Sequence, residues 1–127
     1  MIKSIITFLS YIFLLFNSNL VADEKLRVGL LAPFSGEYKK LGESLLLSTQ
    51  LALNEIGNEN IIIIPRDSGS NNKESLNSAI KEIRSNGAKI IIGPMTSSSF
   101  KELGKYNDTI FISLSNKEPK ISNKNKK

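Results

Sequence analysis

The 127-residue sequence contains no cysteine and no histidine. Without cysteine the chain has neither a disulfide nor a lipid-bearing first cysteine, so we expect a soluble protein that depends on its core for stability. The chain also lacks a Gly-x-Ser-x-Gly elbow, a Gly-x-Gly-x-x-Gly fingerprint and a phosphate loop ending in Gly-Lys-Ser/Thr. These absences remove the usual signatures of nucleophilic catalysis and of nucleotide binding. We therefore predict that the chain is not an enzyme and carries no cofactor.

Acidic residues at strand ends are also scarce. Asp67 is the only acid directly at the end of a predicted strand, and one carboxylate makes neither an acid/base pair nor a metal site. A structural role is the favoured interpretation, in which Asp67 caps the turn at residues 68–72 or pairs with Arg66. The sequence thus predicts no metal site.

Long hydrophobic runs are limited to the first residues. A basic start at Lys3 precedes an apolar run from Ile5 to Phe16, which is shorter than the roughly 20 residues needed to cross a bilayer as a helix. The pattern is typical of a secretory signal peptide, and a transmembrane anchor is the weaker alternative. We predict a signal peptide over residues 1–22, cleavage after Ala22 and a periplasmic location.

The formal net charge of +5 is unevenly distributed. Acidic and basic residues balance between Asp23 and Asn116, and the surplus lies in Lys3 and in the lysine-rich tail, residues 117–127. A basic tail of low complexity is more often disordered than a binder of anionic surfaces. We therefore predict no nucleic-acid partner.

Four apolar runs rich in β-branched residues alternate with helical patterns. The runs, typical of buried parallel strands, are Leu26 to Ala32, Ile61 to Asp67, Lys89 to Gly93 and Thr109 to Ser113.

Two longer segments between these runs have helical periodicity. The first, from about Lys40 to Ile56, has an apolar stripe formed by Leu41, Leu45, Ala52 and Ile56, widened by Leu47 and Leu51. The second starts near Lys73, with Asn71 and Glu74 as a predicted capping box, and ends at Gly87; its apolar positions are Leu76, Ala79, Ile80 and Ile83. The alternation predicts an α/β fold, an open parallel sheet of order 2-1-3-4 with helices on both faces.

The loops at the carboxyl ends of the first three strands are rich in small and hydroxyl residues, and ligands of open parallel sheets bind at this edge. They read PFSGEY, RDSGSNN and GPMTSSS. In the third loop, the hydroxyls of residues 96–99 have two interpretations that the spacing leaves open. They cap a helix, as in the capping box of Ser99 and Glu102, or they donate to an anionic ligand group such as a carboxylate.

Residues 26–116 resemble the opening of the type I periplasmic-binding fold, the group that includes the branched-chain amino-acid-binding proteins. The resemblance is carried by VGLLAPFSGEYKKLGESLLLSTQLALNE, RDSGSN, AIKEIRSNGAKIIIGPMTSSS and IFISLSN, which occur in the family's order. It implies a Rossmann-like half of a periplasmic-binding lobe, with residues 23–116 forming part of lobe one. Such proteins have two lobes, so we expect this chain to be a fragment of one.

The resemblance implies a small amino-acid-like ligand for import. The ligand-binding residues it implies are Ser97, Ser98, Ser115, Lys117 and Ser35. The importer receptors deliver their ligand to a membrane permease. The chain is also similar to the penicillin-binding-protein activators, through Asp67-Ser68-Gly69-Ser70 and Gly93-Pro94-Met95, which implies the alternative of a regulator that contacts a cell-wall synthase.

Overall fold

The computed structural model describes residues 25–70 and 72–115, in which four parallel strands form one sheet. The strands are β1 (Leu26–Ala32), β2 (Ile61–Asp67), β3 (Ile90–Ile92) and β4 (Ile110–Ile112). Their order is β2-β1-β3-β4, which confirms the predicted α/β sheet. The predicted signal peptide and basic tail lie outside the described residues.

β1 is the central strand because it pairs on both sides. It runs beside β2 from Leu26 opposite Ile61 to Ala32 opposite Asp67, and its middle residues pair with β3. Its last five residues, from Val28 onward, are buried. From Val28 onward the strand is therefore covered on both faces and both edges, which explains why this part of its sequence contains no polar side chain.

Two long helices connect the first three strands. They are α1 (Lys39–Ile56) and α2 (Lys73–Ser85); a short 3₁₀ helix (Ser97–Ser99) and α3 (Phe100–Leu103) precede β4. β2 and β3 lie on opposite sides of β1, so right-handed crossovers place α1 and α2 on opposite faces of the sheet. This arrangement is the one predicted from the alternating periodicities.

The apolar face of α2 forms the main core. Its four predicted apolar residues are all buried, and they pack with Leu31 of β1, Ile91 of β3 and Tyr106. A side chain added at Gly29 would lie 2.4 Å from Cγ2 of Ile83, so the helix approaches the centre of the sheet closely. Burying each large apolar side chain stabilises the fold by about 1.5–3 kcal/mol, so this cluster dominates the stability of the described residues.

The start of α2 differs by one residue from its prediction. The N-cap is Asn72, whose side-chain oxygen accepts hydrogen bonds from the amides of Glu74 and Ser75 at 2.8 and 3.2 Å. Asn71, the predicted cap, lies outside the described residues. Positions 71 and 72 are both asparagine, a favoured N-cap residue, so the sequence alone does not distinguish between them.

The apolar stripe predicted for α1 is only partly correct. Leu41 and Ile56 are 50% and 62% exposed, and Ala52 is exposed as well, whereas Leu45 is half-buried. The one fully buried residue of α1 is Gly42, at which the helix meets the backbone of Pro33. α1 therefore covers its side of the sheet through a narrower face than its sequence suggests.

The edge strand β4 carries exposed apolar residues. Ile110 and Ile112 are 63% and 50% exposed, while Phe111, between them, packs against the core. Alternating side chains of a strand point to opposite faces, so the two isoleucines share the face of the sheet on which α1 lies.

Of the described helices, none is long and apolar enough to cross a membrane.

Candidate functional site

Because the four strands are parallel, the segments that follow them meet at one edge of the sheet. The first loop, residues 33–38, follows β1; the second, residues 68–72, follows β2; the third begins with Gly93; and residues 113–115 follow β4. A side chain added at Gly93, where φ is +111°, would lie 2.2 Å from the carbonyl oxygen of Leu31, so the third loop leaves β3 close against β1.

An open cleft of about 450 Å³ lies at this edge. The first loop and α1 line it with Pro33, Tyr38 and Leu41. The third loop contributes Met95 and Thr96. The segment after β4 contributes Leu114 and Ser115.

The lining is apolar with a few hydroxyls. The hydroxyls of Tyr38, Thr96 and Ser115 are its side-chain hydrogen-bonding groups, and these described residues include no charged side chain. Such a surface can bury the apolar body of a small molecule and orient its polar end through hydroxyl donors and acceptors. Among the described residues, no group of three or more acidic side chains is placed to hold a metal ion.

The hydroxyls of the third loop bond mainly to one another. The Thr96 and Ser99 hydroxyls are 3.0 Å apart, and Ser98 Oγ donates to Thr96 Oγ1 at 3.3 Å. Neither Thr96 nor Ser99 makes a side-chain capping bond. The predicted capping box of Ser99 and Glu102 is therefore wrong, since the Glu102 carboxylate pairs with Lys73 and Lys105 instead.

Asp67 caps the turn that follows it, which is one of its two predicted structural roles. Its Oδ1 accepts hydrogen bonds from the amides of Gly69 and Phe34 at 2.9 and 2.8 Å. Partial burial raises the pKa of Asp67, but the Ser35 hydroxyl and the Gly69 and Phe34 amides outweigh it and hold that pKa below the ordinary aspartate value. The predicted pairing with Arg66 is wrong, because Arg66 Nε donates to Glu82 at 2.7 Å.

The structure brings some of the predicted ligand-binding residues to the cleft and leaves others beside it. Ser115 lines the cleft. Ser97 follows Thr96 at the start of the 3₁₀ helix and is half-buried, and Ser98 is exposed. The Ser35 carbonyl accepts a hydrogen bond from Ser70 Oγ at 3.0 Å in the first loop. Lys117 lies outside the described residues, and the ligand-binding role of all five stays a prediction.

Of the seven residues that line the cleft, only Ser115 was predicted to bind ligand, and two of the other six, Tyr38 and Thr96, carry hydroxyls. Thr96 belongs to the hydroxyl run that the sequence singled out, one position before Ser97, and Tyr38 ends the first of the three inspected loops. The loops were thus identifiable from the strand pattern. Which side chain of each loop faces the cleft depends on the turn of the backbone, which the spacing of hydroxyls does not specify.

Comparisons with known proteins agree with this architecture. The sequence profile of a family described as "periplasmic binding protein" matches residues 25–126. None of the curated proteins matches the sequence significantly.

Solved structures similar to this chain include three from bacteria. An ABC transporter substrate-binding protein from Sphaerobacter thermophilus matches with a TM-score of 0.60 and 23% identity. The match covers 71% of this chain and 26% of that protein. A solute-binding protein of R. palustris, in complex with 4-hydroxybenzoate, has a TM-score of 0.61 and 19% identity over 72% of this chain and 27% of its own. A periplasmic binding protein from Burkholderia mallei has a TM-score of 0.62 and 17% identity over the same shares, 72% and 27%. The chain thus spans about a quarter of the length of these proteins, and the likeness concerns the fold.

Proposed function

Because this chain belongs to the periplasmic binding protein family, we propose that it is part of an extracytoplasmic receptor that binds a small solute and delivers it to a membrane permease. The family is one of solute-binding proteins, and it implies a location outside the cytoplasm. The observation that supports the proposal is the cleft at the carboxyl edge of the sheet, where three segments converge on apolar walls and a few hydroxyls.

We infer that the ligand is amino-acid-like, of the leucine, isoleucine or valine type. The walls formed by Leu41, Met95 and Leu114 suit a branched apolar side chain, and the hydroxyls of Thr96 and Ser115 suit a carboxylate. The R. palustris relative binds 4-hydroxybenzoate, which is also a carboxylate on an apolar body. An aromatic carboxylate is therefore the second ligand to test.

We also propose that the chain is not an enzyme. It contains neither histidine nor cysteine. Its strand-end carboxylate, Asp67, accepts backbone hydrogen bonds in the second loop and from Phe34. These contacts leave the site suited to holding a solute rather than to transferring its protons.

Thermal unfolding in the presence of candidate solutes tests the proposed function. The matched part of the chain covers only about a quarter of each solved relative, so the test compares the full product of the gene with the 127-residue chain. A ligand present at a hundred times its dissociation constant adds about 2.7 kcal/mol to the free energy of unfolding. We expect such a shift for the full product of the gene, and not for the isolated 127-residue chain, with a branched-chain amino acid, or with 4-hydroxybenzoate if the ligand is an aromatic carboxylate.

The regulatory alternative gives a different result in the same experiment. A protein that acts on a cell-wall synthase through its surface would show no shift with any solute and would retain the synthase in a pull-down. That pair of results would overturn the receptor proposal in favour of a penicillin-binding-protein activator-like regulator.

A further inference from the structure

One carboxylate joins two loops that follow different strands. Asp67 is the last residue of β2, and its Oδ1 accepts hydrogen bonds from the amide of Phe34 in the first loop and from that of Gly69 in the second. Ser35, next to Phe34 in the first loop, also contributes to lowering the pKa of this carboxylate. Hydrogen bonds to a charged acceptor are roughly twice as strong as neutral ones, so Asp67 is the main tie between these loops.

Further contacts hold the same loop from either side. Ser70 Oγ donates to the carbonyl oxygen of Ser35 at 3.0 Å. A side chain added at Gly36, where φ is +70°, would lie 2.3 Å from Ser70 Oγ, so the two loops meet without a gap. On the other side, Gly42 of α1 lies against the carbonyl of Pro33. The first loop is therefore fixed between β2 and α1.

The fixed loop is also a wall of the cleft. Pro33 and Tyr38, at its two ends, line the cleft, whereas Asp67 is not among the lining residues. We propose that Asp67 is a positioning residue, which binds the backbone of the first loop and thereby sets where Tyr38 stands in the cleft. This role rests on the proposed function, because it makes the cleft the ligand site.

The charges around Asp67 leave this role to its hydrogen bonds. The ionisable groups on the segments that surround it are Glu37 and Tyr38 in the first loop, Lys39 and Lys40 at the start of α1, Arg66 on β2, and Lys73 and Glu74 at the start of α2. Arg66 pairs with Glu82, and Lys73 pairs with Glu102. The donors of the two loops hold the pKa of Asp67 below its ordinary value against the effect of partial burial, as expected for a carboxylate that the loops bind in its ionised form.

Proton and carbon NMR of the 127-residue chain between pH 6 and pH 3 tests the proposal. If Asp67 positions the first loop, the Phe34 amide and the Tyr38 ring carbons shift together, with one midpoint below the ordinary aspartate value. In Asp67→Asn this common titration disappears. The amides of Phe34 and Gly69 then exchange about tenfold faster or more, the factor expected when hydrogen bonds to a charged acceptor are lost. Far-UV circular dichroism checks that the chain is folded throughout.

Two further variants make the result specific. Ser35→Ala removes the hydroxyl that lowers the pKa of Asp67 and leaves the carboxylate itself in place, so the midpoint seen at Tyr38 moves upward. This variant decides the question if Asp67→Asn does not fold. Asp108→Asn is the matched control, because Asp108 also has a lowered pKa but bonds Arg84, which lies in α2 away from the first loop. It leaves the titration of Tyr38 unchanged.

A Tyr38 signal that does not titrate, or that still titrates in Asp67→Asn, would overturn the role of Asp67. A solute panel without any thermal shift of the full gene product, combined with the expected titration, would overturn the proposed function and support the link between Asp67 and Tyr38. The reverse pattern, with solute binding and a Tyr38 signal independent of Asp67, would overturn the positioning role alone.

Discussion

Replacing Gly42 by alanine tests how closely α1 packs against the first loop. The added Cβ would lie 2.0 Å from the carbonyl oxygen of Pro33 and 2.7 Å from its carbonyl carbon. Carbon and oxygen atoms normally approach to about 3.3 Å, so the helix and the loop would have to separate by about 1 Å. Both clashing atoms are backbone and cannot rotate away.

The expected loss of stability follows from two opposing effects. Overpacking of this kind costs about 1–3 kcal/mol, whereas alanine in a helix is more favourable than glycine by about 1 kcal/mol. We expect a net loss of up to about 2 kcal/mol, and each kcal/mol lost lowers the melting temperature by roughly 4–8 °C in a domain of this size.

Urea unfolding followed by circular dichroism measures the effect, with Gly104→Ala as the matched control. Gly104, after α3, has a φ of −60°, and a side chain added there meets nothing within 4 Å. The control should keep the urea midpoint of the parent chain or raise it slightly, by about 0.4–1 kcal/mol. A Gly42→Ala chain as stable as the Gly104→Ala chain would show that α1 does not pack on Pro33 as described.

Three other predictions follow from the same structure. Ile83→Ala, in the core of α2, should lower the free energy of unfolding by about 2–5 kcal/mol in urea, and a loss below 1 kcal/mol would contradict the packing on Gly29. Acid should destabilise the chain. The Arg84 guanidinium lowers the pKa of Asp108, and for Asp67 the raising effect of partial burial is outweighed by hydrogen bonds that lower the pKa. The stabilisation by these two carboxylates is therefore present above about pH 4 and is lost as the pH falls through their pKa values in the folded chain. A urea midpoint that stays constant from pH 5 to pH 2.5 would contradict this. Calorimetry of the isolated chain should detect no micromolar amino-acid binding. Hydrogen bonds from hydroxyls in an open cleft contribute roughly 0.5–1.5 kcal/mol each, which does not offset the cost of immobilising a ligand. A micromolar dissociation constant for the monomeric chain would contradict this.

The sheet was predictable because its signals are local and redundant. Each strand is a β-branched apolar run, and the bounds of β1 and β2 were predicted residue for residue. The buried face of α2 was equally clear, since a side chain at every third or fourth position packs on the sheet. Right-handed connections then left few orders for the four strands.

The details of the site were less predictable because they depend on contacts between distant segments. Nothing near Asp67 in the sequence shows that its carboxylate binds the amide of Phe34, on a loop that follows another strand. Likewise, Thr96 lines the cleft and its neighbour Ser97 does not, a difference set by where the backbone turns after Gly93. For α1, the exposure of Leu41 and Ile56 depends on what covers the helix, which periodicity alone does not give.

The central position of β1 has a consequence for the order in which the protein can form. β1 comes first along the described chain, yet both of its neighbours come later, because Leu26 pairs with Ile61 and Val28 pairs with Ile90. A chain that has been synthesised only as far as residue 60 therefore contains the middle of its sheet and no strand to pair with it. Pairings so distant in sequence form slowly, since a long loop must close before any contact compensates for its entropy. The emerging chain therefore cannot assemble its sheet until β2, and for the second edge of β1 also β3, has been synthesised.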